Sequence, residues 1–484
     1  MTYLVSISVG PVQEFIAAAR KTADLYAGSA LLVEIVQAAA QTFPEGSLIF
    51  PADQHSRGAN KILAQVDGDP AERVRWARQA AATALADAWK DAWGKLSPEQ
   101  QGLIDTARAE EQLEHLLEFY AAWVPVNGNY SEAKRKVEHL LSGRKALRDF
   151  EPTHQNDAGV FKSPLDPSQA SVLTGNGEAL KRAPLRLKKS ELLDAVSILK
   201  RVHGSDLDVD NTHTLAHRAI YPDAENSPDD DFTPAYPYFA VLVADGDRMG
   251  KLISGMATAD QHRHFSGQLD DFAAEANKLV IKCAGQMVYA GGDDVLALLP
   301  VSTVVNCAVQ LSEAFNHIVR GTLSAGIAIV HYREPLSVSL SQAREAEKAA
   351  KNAGRNRLSV ALHTRSGSPL TVTRQWNGVP TLAQWQAANQ SGQVTRGFPY
   401  ELRELARQWP NEDFEMALLK AEAERILGRK HAREGKGRTP PLPDFHSRAD
   451  LAQFADLLIL ARFLSGNGLQ DVPAPAPELE STHA

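Results

Sequence analysis

Apolar and polar positions alternate from Tyr3 to Val9 among β-branched residues, which predicts a strand. Gly10-Pro11 ends it, and Val12 to Arg20 takes up helical spacing with the proline near the helix start, where its missing N–H costs little. A second helix is expected over 25–40, a short strand over 47–50, and helical stretches over about 70–95 and 98–122. Between 143 and 236 the periodicity fails. Pro, Gly and Asp are frequent there, beside a basic stretch (Lys181, Arg182, Arg186, Lys188, Lys189) and an acidic loop from Asp229 to Asp231.

From Tyr238 the pattern sharpens. Phe239 to Ala244 is an unbroken apolar run, as a central strand buried on both faces requires. A helix follows over about 259–283, then strands at 286–290 and 295–299 joined by Gly291-Gly292-Asp293-Asp294. A helix over 302–319, a strand over 322–331, a helix over 338–353 and a strand over 357–363 complete the unit. The order is β-α-β-β-α-β with one further helix and strand, the ferredoxin-like arrangement. From about Arg396 to Gly466 the chain reads as helical apart from a basic loop at 428–438. The Pro-Ala tail after Asp471 has the composition of a disordered segment.

Charge and cysteine usage narrow the classes. Lys and Arg number 51 against 59 Asp and Glu, a formal charge of −8, so a grip on nucleic acid over the whole surface is excluded and any such contact is local or shared with partners. Cys283 and Cys307 are the only cysteines, too few for a disulfide framework, and they fit a reducing cytoplasm. No run approaches eighteen uninterrupted apolar residues and no targeting signal opens the chain, so a cytoplasmic protein with no membrane partner is expected. His213 and His217 stand four apart without a third ligand and carry no zinc reading.

The chemistry concentrates in one place. Asp245 ends a buried strand, and Asp293 and Asp294 sit in a tight turn; in this topology the first and third strands pair, so the three carboxylates converge. Like charges at such range need a cation, and oxygen-only donors suit Mg²⁺ or Mn²⁺. Asp245, Asp293 and Asp294 are therefore the candidate catalytic residues, and the same three together with Gly246 the candidate metal-binding residues. Asp247, Met249 and Gly250 follow the strand end, where free N–H groups face a phosphate. Gly291 and Gly292 admit close approach of a ligand. Lys348 and Lys351 supply cations before Gly354-Arg355-Asn356. Together these residues predict a two-metal nucleotidyltransferase site for a nucleoside triphosphate.

These motifs resemble the nucleotide-cyclase and polymerase palm superfamily. Over most of residues 1–465 the chain resembles something narrower, the large subunit of type III CRISPR effector complexes of the III-B kind. The resemblance rests on Ser6-Ile7-Ser8-Val9-Gly10-Pro11-Val12-Gln13-Glu14-Phe15-Ile16, Asp24-Leu25-Tyr26-Ala27-Gly28-Ser29, Phe50-Pro51, Asn60-Lys61, Glu191 to Arg201, Ala244 to Gly250, and His331-Tyr332 to Pro335. It implies an α+β fold of two ferredoxin-like palms with helical insertions and a helical carboxy-terminal domain. The expected divisions are 1–145 (first palm), 146–235 (irregular module), 236–375 (second palm), 376–470 (helical domain) and 471–484 (disordered tail). Gly10-Pro11-Val12-Gln13 leaves the first palm without a carboxylate at its strand end, so that palm is expected to bind nucleotide without catalysing, with Gly28 and Ser29 near a base. The implied activity is synthesis of cyclic oligoadenylate from ATP, switched on by target RNA. The implied partners are other type III effector subunits, guide RNA and target RNA. The family's HD nuclease domain and its zinc module are expected to be missing: the first palm starts at residue 2, and Lys162-Ser163-Pro164-Leu165 stands where zinc-binding cysteines would be. Two other readings stay open, a free-standing cyclic dinucleotide synthase and a catalytically silent scaffold subunit of an RNA-binding complex.

Overall fold

A computed structural model describes residues 1–56, 60–147, 160–188, 190–221, 234, 236–410, 416–430 and 439–466. The acidic loop at 229–231, Lys189, the basic loop over 431–438 and the tail beyond 466 lie outside the described residues.

The first sheet grows around β1 (Thr2–Gly10), whose apolar residues are buried on both faces. After α1 (Gln13–Ala17) and α2 (Thr22–Ala40) come β2 (Leu48–Phe50) and β3 (Lys61–Asp67), then α3 (Pro70–Lys95), α4 (Pro98–Gln101), α5 (Thr106–Glu114) and β4 (Glu118–Pro125). The order β2-β3-β1-β4, antiparallel throughout, is the ferredoxin-like one. Here the expected helix over 98–122 is corrected. Asp105 caps a short α5, and Glu118–Pro125, rich in aromatic and β-branched residues, pairs instead with the free edge of β1. Ala122 and Val124 then bury against α6 (Tyr130–Ala146).

The irregular stretch holds α7 (Ala195–His203) and α8 (Thr212–His217) and packs into the first-palm core through Leu185, Leu193, Ile198 and Leu199. Arg201 of α7 donates to both oxygens of buried Asp24 at 2.7 and 2.8 Å, so neither charge is left alone in the core. By length and composition α2 is apolar enough to cross a membrane, but most of its apolar residues are committed to this core.

The second sheet forms around β5 (Tyr238–Gly246). It continues through α9 (Met249–Ser254), α10 (Ala259–Lys282), β6 (Gln286–Gly291), β7 (Asp294–Pro300), α11 (Val304–Val319), β8 (Leu323–His331), α12 (Leu336–Asn352), β9 (Arg357–Leu362) and β10 (Leu370–Gln375). The order β10-β9-β8-β5-β7-β6 contains the ferredoxin-like set β8-β5-β7-β6, extended by β9, parallel to β8, and by β10. Ala240, Leu242 and Ala244 face the core of α10 and α11, whereas Phe239 and Val241 share a core with α12 and the first palm. Four helices follow: α13 (Val379–Gln390), α14 (Phe398–Gln408), α15 (Met416–Lys430) and α16 (Arg448–Leu464). Their apolar residues join Leu358, Val360 and Val372 of the sheet extension in one core.

Polar contacts fix one palm against the other. Tyr130 Oη lies 2.7 Å from His262 Nδ1, Lys134 donates to the Ile253 carbonyl at 2.5 Å, and Ser131 donates to the Met256 carbonyl at 3.0 Å. From the second palm, Arg263 bonds to the Leu48 and Gly46 carbonyls at 2.8 and 3.0 Å.

Gly326 sets how closely α12 lies on the sheet. A Cβ there would stand 2.0 Å from the Glu347 backbone nitrogen and 2.5 Å from the Ala343 carbonyl oxygen. Gly326→Ala must push α12 off β8, and it is expected to destabilise the protein by about 1–3 kcal/mol, the usual cost of overpacking. The check is a thermal or denaturant melt; an unchanged midpoint would contradict this packing.

Candidate active site

Side-chain alternation aims the carboxylates. Asp245 has the parity of Phe239 and Val241 on β5, and Asp294 that of Leu296 and Leu298 on β7, so both belong to the sheet face that carries α12 and the first palm. The β5–β7 register ends at Ala244 opposite Val295, which puts Asp245 and Asp294 one step further along. Gly291 pairs with Asp294 and closes a two-residue turn, Gly292-Asp293. Gly292 takes a φ of +73° there, which favours glycine, and Asp293 does not, the pattern of a type II′ hairpin. Gly246 completes the approach: a Cβ on it would lie 2.8 Å from Phe315 and 2.9 Å from the Asp293 Cβ.

The result is a cluster in which one carboxylate oxygen each from Asp245, Asp293 and Asp294 lie within 4.8 Å of one another. Burial, then the charge of Asp245, pushes Asp293 up to about 6. Burial and the bond with Asp245, with Asp293 adding repulsion, push Asp294 up to about 9. Two groups titrating that far above the ordinary carboxylate range mark an excess of negative charge. Lys351 offsets part of it: its ammonium pairs with Asp245 and, at 2.7 Å, with Glu347. These hydrogen bonds raise the Lys351 pKa although burial works against them. The donor set is oxygen alone, close and electron-rich, and so fits a hard divalent cation.

The other expected residues divide. Met249 is buried under the strand end and Gly250 is exposed, both at the start of α9. Lys348 is exposed on α12, a turn away from Lys351. Asp247 is tied into the fold. Its carboxylate accepts from Thr322 Oγ1 (2.9 Å), Ser324 Oγ (2.7 Å) and the Asn356 N–H (2.9 Å), so it ties the turn after α12 to β8. Gly28 and Ser29 are buried within α2. The space beside Gly28 is taken by Lys200 and the Ile16 backbone, so close packing inside the first palm explains that glycine.

Sequence reasoning missed Glu347, Arg344 and Tyr289. Glu347 and Lys351 form an i,i+4 pair that reads as an ordinary surface bridge until α12 is laid against β5. Burial, and then the charges of Asp294 and Asp293, push the Tyr289 hydroxyl well above its ordinary value, marking it as a neighbour of the cluster. Only its adjacency to Gly291 hinted at this.

Comparison with known proteins bears on both sheets. The family described as Cas10/Cmr2, second palm domain, matches residues 238–359, and CRISPR-associated protein Cmr2, N-terminal, matches residues 4–88. The CRISPR system Cmr subunit Cmr2 of Pyrococcus furiosus is 30% identical over 237 residues, which are 41% of this chain and 27% of that protein, so the match spans about a quarter of the relative's length. Among solved structures, the type III-B Cmr-beta complex in its apo state contains a chain similar at a TM-score of 0.73 and 11% identity, covering 96% of this chain and 82% of that one. The Csm1–Csm4 cassette in complex with cA4 gives 0.52 and 16%, covering 95% and 70%. At these identities the structures speak for the fold. The two matched regions lie one in each palm, so the chain is similar to the Cas10/Cmr2 family in both of its sheets.

Proposed function

We propose that this chain joins ATP molecules into cyclic oligoadenylate, with release of pyrophosphate, when the type III-B assembly that contains it holds guide RNA and a matching target RNA. The observation that carries the proposal is the convergence of Asp245, Asp293 and Asp294 on the sheet face turned toward the first palm. Relatives lend support: the Csm1–Csm4 cassette has been solved with AMPPNP, pppApA, cA3 and cA4, and Cmr-beta with cognate target RNA.

Each residue has a part that follows from its surroundings. Asp245, Asp293 and Asp294 would hold Mg²⁺ or Mn²⁺, and a pair of such ions lowers the pKa of an attacking ribose hydroxyl and stabilises the departing pyrophosphate. Lys351 exchanges Asp245 for the triphosphate once the carboxylates are otherwise neutralised, acting as a point charge that tolerates a range of geometries. Asp247 keeps the Asn356 turn, and with it the end of α12, in register with β8. Gly292 keeps a side chain out of the hairpin tip, and Gly250 offers an open backbone at the start of α9. The partial burial of the cluster strengthens the electrostatic contacts made there.

Three outcomes test this. Replacing both Asp293 and Asp294 by Ala should abolish oligoadenylate formation by the assembled complex while leaving the fold intact; retention of wild-type turnover, followed by mass analysis of the products, would remove the proposal. Lys351→Ala should lower kcat/KM for ATP by about one to three powers of ten, the scale of one charge-assisted phosphate contact, with target-RNA binding unchanged. The third outcome concerns pH. Carboxyls raised to about 6 and about 9 favour the fold when protonated. Their contribution is therefore complete below the ordinary range near pH 4 and is lost as pH rises through those two values. Without metal, stability should fall over that span, and the rise in Tm caused by Mn²⁺ should be larger at about pH 8 than at about pH 5. Equal Mn²⁺ shifts at both pH values, or the same shifts after removal of Asp293 and Asp294, would place the metal elsewhere.

A further inference from the structure

Arg344, on α12, is half-buried, and among the described residues it makes no hydrogen bond or ion pair. Its five donors are taken by no protein group and stay open to water, so an anion arriving beside them meets a guanidinium with no protein partner to give up. Its surroundings say where. The adjacent Ala343 packs in the core shared by the two palms, with Val241, Leu296 and Leu298. Asp294 lies next along the row of Leu296 and Leu298, and its charge reaches Arg344, partly countering the burial that lowers the arginine's pKa.

The position along the helix is also defined. Ala343 and Glu347 straddle Gly326, which pairs with Val243, two residues before Asp245. Lys351, seven residues on, stands about 10 Å further along the axis, where it meets Asp245. Arg344 and Lys351 thus lie on one side of α12, two turns apart, while Glu347 between them bonds to Lys351. Across the seam, α1 of the first palm packs against α12.

We propose that Arg344 is a second phosphate-binding residue of this site, gripping the polyphosphate of a bound nucleoside triphosphate from the first-palm side while Lys351 holds it at the strand end. The proposal rests on the reading that a nucleoside triphosphate binds at the carboxylate cluster. A planar guanidinium suits two phosphate oxygens at once, which an ammonium does not.

The test uses the full-length chain with Arg344→Gln and Arg344→Lys. Inorganic tripolyphosphate in excess Mg²⁺ is the anion probe, Mn²⁺ alone is the metal probe, and calorimetry reads both. Arg344→Gln should weaken tripolyphosphate binding at least about tenfold with Arg344→Lys between it and wild type, while Mn²⁺ affinity stays within about twofold. In the assembled complex, KM for ATP should rise more than kcat falls. Unchanged tripolyphosphate affinity in Arg344→Gln, or no tripolyphosphate binding by the wild type, overturns the proposal. The first result accompanied by altered Mn²⁺ affinity makes Arg344 a counter-charge to Asp294 only. Arg344-dependent tripolyphosphate binding in a chain that neither binds nor consumes ATP upholds the arginine's contact and defeats the nucleotide reading instead.

Discussion

Mutual repulsion among three carboxylates is the constraint around which the second palm is organised. Buried strands bring Asp245 and Asp294 side by side, and a two-residue turn adds Asp293; no apolar packing requires acidic residues at these positions. Such a cluster survives in a fold only if protons, a lysine or metal ions neutralise it, and each leaves a trace here. Asp293 and Asp294 are pushed toward their protonated forms, and Lys351 is drawn onto Asp245. The supporting parts follow from that cluster. Gly246 lets the strand end meet the turn, Gly326 lets α12 come close enough for Lys351 to reach, and Asp247 fastens the helix end to β8.

The first palm repeats the topology without the charge. Its central strand ends at Gly10-Pro11, where the second palm has Asp245-Gly246, and its helices pack against the face on which the carboxylates lie. One sheet therefore carries the acidic cluster and the other helps to enclose it. Contacts such as Lys134 to Ile253 and Arg263 to Leu48 hold the two in a fixed relation. This arrangement shields the site from water on one side without committing a second set of acids.

The second palm was legible in the sequence because its signals are local. An apolar run ending in Asp, a Gly-Gly-Asp-Asp turn between two strands and a helix ending in Gly-Arg-Asn each state their structure within a few residues. What stayed hidden depended on distant partners. β4 looks helical because Leu113, Leu116 and Leu117 precede it, and only the free edge of β1 makes Glu118–Pro125 a strand. The pairing of β3 with β1 and of β10 with β9 is not written in either segment. Asp247 reads as a nucleotide contact from its place after Asp245, and its bonds with Ser324, Thr322 and Asn356, far along the chain, could not be read there. Gly28 reads as a place near a base, and the close packing of Lys200 and the Ile16 backbone against it could not be read from its own segment.

The central claim is that Asp245, Asp293 and Asp294 exist to hold metal against a triphosphate, with Lys351 as the counter-charge that gives way. Anomalous diffraction from crystals of the protein grown with Mn²⁺ and a non-hydrolysable ATP analogue tests it directly. The account predicts manganese peaks among the three carboxylates, phosphate density beside them, and Lys351 moved from Asp245 to the phosphates. Manganese absent from the cluster, with Lys351 still paired to Asp245, would contradict it.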